Sequence, residues 1–336
     1  MRIYLLILLF LGLTISESAA QTGPEDSDSA KVYYSQNGRQ TFYRINANET
    51  FMYEKPLPYQ FLLNAPLDIY DYTKESIRLS NWKNLLGMTV LTTMMVLVDQ
   101  DITDIAKQQG RDIGIRGDNK MKTVAKVFDF PIQMPTDLSS SLYFIGDGWT
   151  HISITTSFFA FGLIKSDARA LQTSSQLAEG LITVTFFSQL LKHLSGRESP
   201  FVSTRSGGRW DPFPNQIEYH KHVPAYDAFP SGHICSAMMM VTVISENYKE
   251  YKFIKPLGYT LMTILAYQML NNGVHWASDY PLGIAMGYSI GKLVLSRGRT
   301  VISKSQSQGY HLDSFSVDAG MINGHAVGLT AKLYFN

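Results

Sequence analysis

Pro230-Ser231-Gly232-His233 runs directly into the apolar segment Ile234 to Ile244, and this junction constrains the chain more than any other. A proline, a small hydroxyl residue, a glycine and a histidine ahead of an apolar run predict a loop entering a buried helix. The first N–H groups of such a helix have no partner within it and sit at the favourable end of its dipole, so the junction is a ready anion site with His233 beside it. A second cluster follows in His275-Trp276-Ala277-Ser278-Asp279. His275 and Asp279 fall on one helical face or turn, where the carboxylate can orient the imidazole and stabilise it when charged. Two histidines facing an anion cradle fit attack by one and proton donation by the other, the chemistry of phosphoryl transfer through a phosphohistidine. Either cluster alone also fits a satisfied structural His–Asp pair.

Both clusters resemble signature blocks of the type 2 phosphatidic acid phosphatase (PAP2) superfamily, which includes bacterial acid phosphatases, lipid phosphate phosphatases and vanadium haloperoxidases. Pro230, Ser231, Gly232 and His233 match the middle block, and His275 with Asp279 the end of the third. The first block falls on Lys192 to Pro200, with Lys192 and Pro200 in place but Ser199 where the family has an arginine. The Ser-Arg pair of the third block falls on Gln268-Met269, so a second arginine is replaced by Met269. Neither Ser nor Met can grip phosphate with the charged fork of a guanidinium. Arg197, inside the first block, is one substitute, and Arg205 and Arg209 in the glycine-containing stretch after it are others.

The resemblance implies an all-α fold, a helical bundle of the PAP2/vanadium haloperoxidase type. It also implies metal-independent hydrolysis of a phosphate monoester or diphosphate, on a small molecule or a lipid phosphate, without a cofactor. In that scheme His275 attacks phosphorus, Asp279 holds the ring and His233 protonates the departing oxygen. Lys192, Arg197, Ser231 and Gly232 bind the phosphate, with Arg205 and Arg209 as compensating cations. Two rival readings use the same pocket: an anion-binding protein without turnover, favoured by Ser199 and Met269, and a vanadate-holding haloperoxidase, disfavoured by the missing arginines.

A chain of 336 residues with 45% hydrophobic content and a formal charge of +1 buries a sizeable core and shows no basic excess for nucleic acid. Met1-Arg2 followed by the apolar run Ile3 to Leu13 and the small residues Ser18-Ala19-Ala20 reads as a secretory signal over residues 1–20. The lone Cys235 suits a small core residue better than a nucleophile. Residues 21–60 read as a polar extension with short strands at Val32 to Tyr34 and Thr41 to Ile45, residues 61–298 as the catalytic helical domain, and 299–336 as a tail with a β-hairpin. Within the domain, helices are expected over Asp68 to Trp82, Leu85 to Val98, Asn119 to Phe128 and Ala168 to Leu191, the last delivering Lys192, and Leu142 to Ile164 is a segment with Gly146-Asp147-Gly148 near its start and a second apolar stretch beyond His151. Asp147 between two glycines reads as a helix start. Phe201 to Phe229 reads as a long aromatic loop able to select substrate, and His220 and His222 in it lack a third ligand for a metal site. Gly283, Gly287 and Gly291 permit close helix packing. The apolar stretches fall short of the length a single membrane span needs. The expectation is therefore an exported, periplasmic protein of the secreted acid-phosphatase branch, with integral or peripheral membrane association open and the oligomeric state unassigned.

Overall fold

In a computed structural model the described residues are 32–34, 40–127, 130–303, 312–322 and 326–335. The signal read over residues 1–20 lies outside them.

The body is a helical bundle with small β-sheets at its flanks. Its helices are α1 (Gln60–Ser76), α2 (Trp82–Val96), α3 (Asp99–Asp112), α4 (Leu138–Phe144), α5 (Gly148–Lys165), α6 (Ala168–Ser195), α7 (Gln216–Lys221), α8 (Gly232–Asn247), α9 (Ile254–Asn271) and α10 (Tyr280–Leu295). The long α6 is the axis, packed by α1, α5, α8 and α10. Its N-terminal half is buried on all sides, which is why no amphipathic period is visible in its sequence. Asp167 starts it by accepting from the Ala170 N–H at 2.8 Å, and left-handed Gly196 ends it, leaving Lys192 in its last turn.

Leu177, Val184 and Phe187 of α6 meet Cys235, Met239 and Val243 of α8 and Met286, Ile290 and Val294 of α10 in the main core. The spaced glycines set the α8–α10 distance. A Cβ on Gly287 would lie 2.2 Å from the Cys235 carbonyl oxygen, and one on Gly283 would lie 2.9 Å from that of Ser231. Glycine in a helix ordinarily costs about 1 kcal/mol relative to alanine, but here a larger residue meets backbone. Gly287→Val is expected to destabilise by about 1–3 kcal/mol, read as a lower unfolding midpoint; an unchanged or raised midpoint would show that the helices can move apart freely.

Four strands form one sheet, β1 (Val32–Tyr34), β2 (Gln40–Arg44), β3 (Glu49–Glu54) and β6 (Arg299–Ser303), in that order and antiparallel throughout. The residues after α10 therefore join the N-terminal strands. Strands β7 (Leu312–Ile322) and β8 (Ala326–Phe335) pair as the antiparallel hairpin expected of the tail.

Several local expectations are corrected. Residues 121–127 are not helical: Met121–Val127 is β4, paired antiparallel with β5 (Phe130–Pro135). β-branched Thr123, Val124 and Val127 suit a strand, and Pro131 and Pro135 exclude a helical continuation. Helix α1 begins before Pro66 and runs through it. Within Leu142 to Ile164, α4 ends and Asp147, read as a helix start, begins α5 by accepting from the Trp149 N–H at 2.8 Å. The loop from Phe201 holds α7 and a 3-10 turn at Val223–Ala225.

Outside the core, large apolar side chains are exposed on several helices, among them Leu85, Leu91 and Met94 of α2, Phe159 and Leu163 of α5, and Phe186 of α6. Among the described residues no single helix is long and apolar enough to cross a membrane. Leu79–Val96 and Asp99–Asp112, bent by 60° at their junction, pass that test together.

Candidate functional site

Three elements meet at one end of the bundle: the C-terminus of α6 with Lys192, the N-terminus of α8 with Ser231 to His233, and the turn from α9 into α10 with His275 to Asp279. Ser231 caps α8, its hydroxyl accepting from the Ile234 N–H at 3.4 Å, and its own N–H donates to the Asp279 carbonyl at 3.0 Å. The junction and the His275 turn are thereby tied together. A Cβ built on Gly232 would lie 3.9 Å from Lys192 Nζ, so the lysine stands over the start of α8. Its ammonium also lies 3.4 Å from Asp227 Oδ2, an acid inside the cradle that the sequence did not single out.

His233 and His275 face each other edge to face, ring centroids 5.7 Å apart. His275 Nδ1 lies 2.8 Å from the Ala228 carbonyl oxygen. A carbonyl only accepts, so Nδ1 carries a proton, and in the neutral ring Nε2 keeps the lone pair. Asp279 is beside the ring but is not its closest partner: Oδ2 lies 3.4 Å from Nδ1 and accepts from the Trp276 N–H at 2.8 Å. The ring is thus oriented mainly by a backbone carbonyl, with the carboxylate contributing charge. His233 Nε2 is 3.0 Å from the Tyr143 hydroxyl, which makes Tyr143 of α4 a partner that local sequence pattern could not reveal.

Arg197 is a correction to the sequence reading. Its guanidinium is fully buried and its Nη atoms donate to Asp279 Oδ1 at 2.5 Å, Ser278 Oγ at 2.6 Å, Asp99 Oδ2 at 2.6 Å and the Gly207 carbonyl at 3.1 Å. The Trp210 ring lies over it, 4.6 Å from the guanidinium carbon. It serves as the counter-charge of two buried carboxylates rather than as a phosphate grip. Asp99, from the start of α3, further accepts from the Ser278 N–H at 2.9 Å. Met269 is buried with Ile234, Leu265 and Tyr280, so an apolar contact fills the place of the second family arginine. Ser199 is buried and donates its N–H to the Pro224 carbonyl at 2.9 Å.

Of the compensating arginines, Arg205 is exposed. Arg209 is half-buried, 5.5 Å over the Tyr226 ring, and its Nε is buried without a protein acceptor. Residues 197, 210 and 227 lie side by side through the bridges Arg197 to Trp210 and Arg197 to Asp227, which places Arg209 next to the strip that carries Asp227. Tyr219 and Tyr226 form an aromatic wall there, with His193 stacked on Tyr219 at 4.0 Å. Burial, with the Asp227 carboxylate adding to it, pushes the Tyr219 hydroxyl up to about 12, so it stays neutral. Among the described residues no group of three or more His, Cys, Asp or Glu side chains is placed to hold a metal ion.

Residues 174–302, which contain Lys192, His233 and His275, match the PAP2 superfamily. No curated protein matches the chain. Among solved structures, LpxE of Aquifex aeolicus matches at 18% identity over 47% of this chain and 83% of its own, with a TM-score of 0.36. A structure titled the first transmembrane PAP2-type phosphatidylglycerolphosphate phosphatase, from Bacillus subtilis, matches at 12% identity over 63% of this chain and 92% of its own, with a TM-score of 0.40.

The expectation of a secreted, periplasmic protein of the acid-phosphatase branch is corrected. The chain carries the bent pair of α2 and α3 and the apolar side chains exposed on α2, α5 and α6. A water-soluble surface rarely leaves so much apolar area uncovered, whereas lipid covers it at no cost. These features favour membrane integration over a secreted, periplasmic protein.

Proposed function

We propose that this chain is a membrane-integrated phosphatase that hydrolyses a lipid phosphate through a phosphohistidine on His275. The observation that carries this reading is the hydrogen bond from His275 Nδ1 to the Ala228 carbonyl at 2.8 Å, because in the neutral ring it leaves the lone pair on Nε2, with the His233 ring 5.7 Å away, centroid to centroid. Attack by Nε2 forms the P–N bond as the bond from phosphorus to the leaving oxygen breaks, and His233 donates its proton to that oxygen. Water then attacks the phosphohistidine and passes a proton to His233, which restores both rings. Lys192 and the first N–H groups of α8 face the charge that builds on the phosphoryl oxygens in the transition state. A bundle whose apolar surface lies in lipid and whose charged site lies at one end suits a substrate with its phosphate at the membrane surface. Asp279, with Arg197 holding its other oxygen, keeps a negative charge beside the imidazole as that ring becomes cationic.

Arg209 takes the role left open by Ser199 and Met269, since it is half-buried next to the strip that carries Asp227 and its Nε has no protein acceptor. Arg209→Met is expected to lower kcat/KM on a lipid phosphate by about a hundredfold, the size of one lost transition-state donor, with an unchanged unfolding midpoint. Activity within twofold of wild type would remove Arg209 from the site. The reading as a whole is tested by phosphate release from a lipid phosphate and from an aryl phosphate, each with and without vanadate.

A second reading is an anion-binding descendant without turnover, favoured by the burial of Met269 in the core and by the commitment of Arg197 to Asp99 and Asp279. Phosphate binding without vanadate-sensitive release on either substrate would decide for it.

A further inference from the structure

The hairpin of β4 and β5 stands apart from the rest of the bundle. Lys122 to Lys126 are exposed on both faces of the ribbon, as are Pro131, Gln133 and Met134 opposite them. A two-stranded hairpin with neither face covered is marginal in water. Its root, however, is firmly built. The Thr136 N–H donates to the Lys120 carbonyl at 3.0 Å, and the Lys120 and Arg116 N–H groups donate to Ser140 and Ser139 of α4 at 2.6 and 2.8 Å. On the other side, Gln268 and Asn271 at the end of α9 both donate to the Arg116 carbonyl at 3.0 Å. Those residues lead into His275, and α4 carries Tyr143, the partner of His233. The hairpin is therefore pinned by both arms to the supports of the two histidines, at the catalytic end of the molecule.

Its charge is one-sided. Residues 116–135 hold Arg116, Lys120, Lys122 and Lys126 against Asp118 and Asp129. Asp118 is engaged with Arg116 at 2.5 Å and reaches Lys120 at 4.0 Å, while Lys122 and Lys126 make no ion pair among the described residues. Exposed Val124 and Met134 interleave with these lysines, Met134 directly opposite Lys122. Basic side chains with apolar neighbours on an uncovered ribbon are suited to the headgroup layer of an anionic bilayer, where the lysines meet phosphates and the apolar side chains enter the acyl boundary.

We propose that the β4–β5 hairpin docks on the anionic lipid surface surrounding the protein and holds the catalytic mouth at the depth of the headgroups. The proposal rests on the membrane reading above and not on hydrolysis.

The test uses the full chain in nanodiscs with a fluorophore on Thr123→Cys, since the native thiol, Cys235, is buried. Discs contain phosphatidylcholine with a nitroxide at the headgroup, with or without phosphatidylglycerol. Quenching is expected to rise with phosphatidylglycerol and fall as salt is raised. In K122E/K126E the docked-to-undocked ratio should drop about thirtyfold or more, from about 1 kcal/mol per lysine at such a surface. Equal quenching with and without phosphatidylglycerol, or quenching unmoved by the double variant, would overturn the proposal while leaving the membrane reading intact. Shielding of the label in lipid-free detergent that grows with protein concentration would assign the ribbon to a second copy of the chain instead. A protein that cannot be retained in discs would overturn the membrane reading and this proposal with it.

Discussion

His275→Ala is expected to reduce phosphate release by about four orders of magnitude or more, the scale seen when a covalent nucleophile is removed from an otherwise intact site. The reason is local. With Nδ1 bound to the Ala228 carbonyl, Nε2 is the atom left to attack phosphorus, and the neighbouring His233 is committed to the proton transfers. The anion cradle itself survives the change, since Lys192, Ser231 and the first N–H groups of α8 do not depend on the imidazole. Phosphate or vanadate should therefore still bind, within about tenfold of wild type, an interval equal to one lost hydrogen bond. Denaturing quench of wild type during turnover should trap an acid-labile, alkali-stable phosphoprotein that His275→Ala lacks. A variant that releases phosphate at the wild-type rate would sink the phosphohistidine reading. A wild type no faster than the variant, with binding intact in both, would establish the non-catalytic reading.

What could be read from the sequence was whatever depends on neighbours along the chain. The start of α8 was legible because Ser231 caps the helix that His233 enters, and the start of α5 because Asp147 caps it. The glycine series Gly283, Gly287 and Gly291 gave the close α8–α10 contact, because one residue per turn lies on one face. Contacts that join distant segments left no such trace. Asp99 reaches Arg197 from the opposite side of the site and Tyr143 reaches His233 from α4, so neither has a local signal. Arg197 was misread for the same reason: its place inside the first block suggested phosphate, while its partners come from α3 and from the turn before α10. Pro66 hid the true start of α1, because a proline inside a helix removes one hydrogen bond without always ending it. The bent pair was passed over because α2 and α3 reach the needed length only together, across a 60° bend. A search for single apolar stretches passes over such a pair.

Arg197→Met carries the second large expectation, and it concerns folding before chemistry. Asp99, Asp279 and Arg197 are all fully buried, with two carboxylates sharing one guanidinium at 2.6 and 2.5 Å. Removing the cation leaves two acids in the interior with no counter-charge, which typically costs about 3–5 kcal/mol. The unfolding midpoint in detergent should fall accordingly. Adding Asp99→Asn to Arg197→Met should recover part of the loss by neutralising one of the stranded groups. Arg197→Lys should fall between wild type and Arg197→Met, because a single ammonium cannot reproduce the separate donors that Nη1 and Nη2 direct at Asp279 and Asp99. If Arg197 instead swings out to grip phosphate, Arg197→Met will keep the wild-type midpoint and lose phosphate affinity, and the counter-charge assignment fails. Arg209→Met gives the opposite expectation, weaker catalysis with unchanged folding. Measuring both properties on both variants separates the arginine that holds Asp279 from the one that meets the substrate, and Asp279 links them: with Arg197 gone, this carboxylate loses its fixed position beside His275, so kcat should fall together with the midpoint.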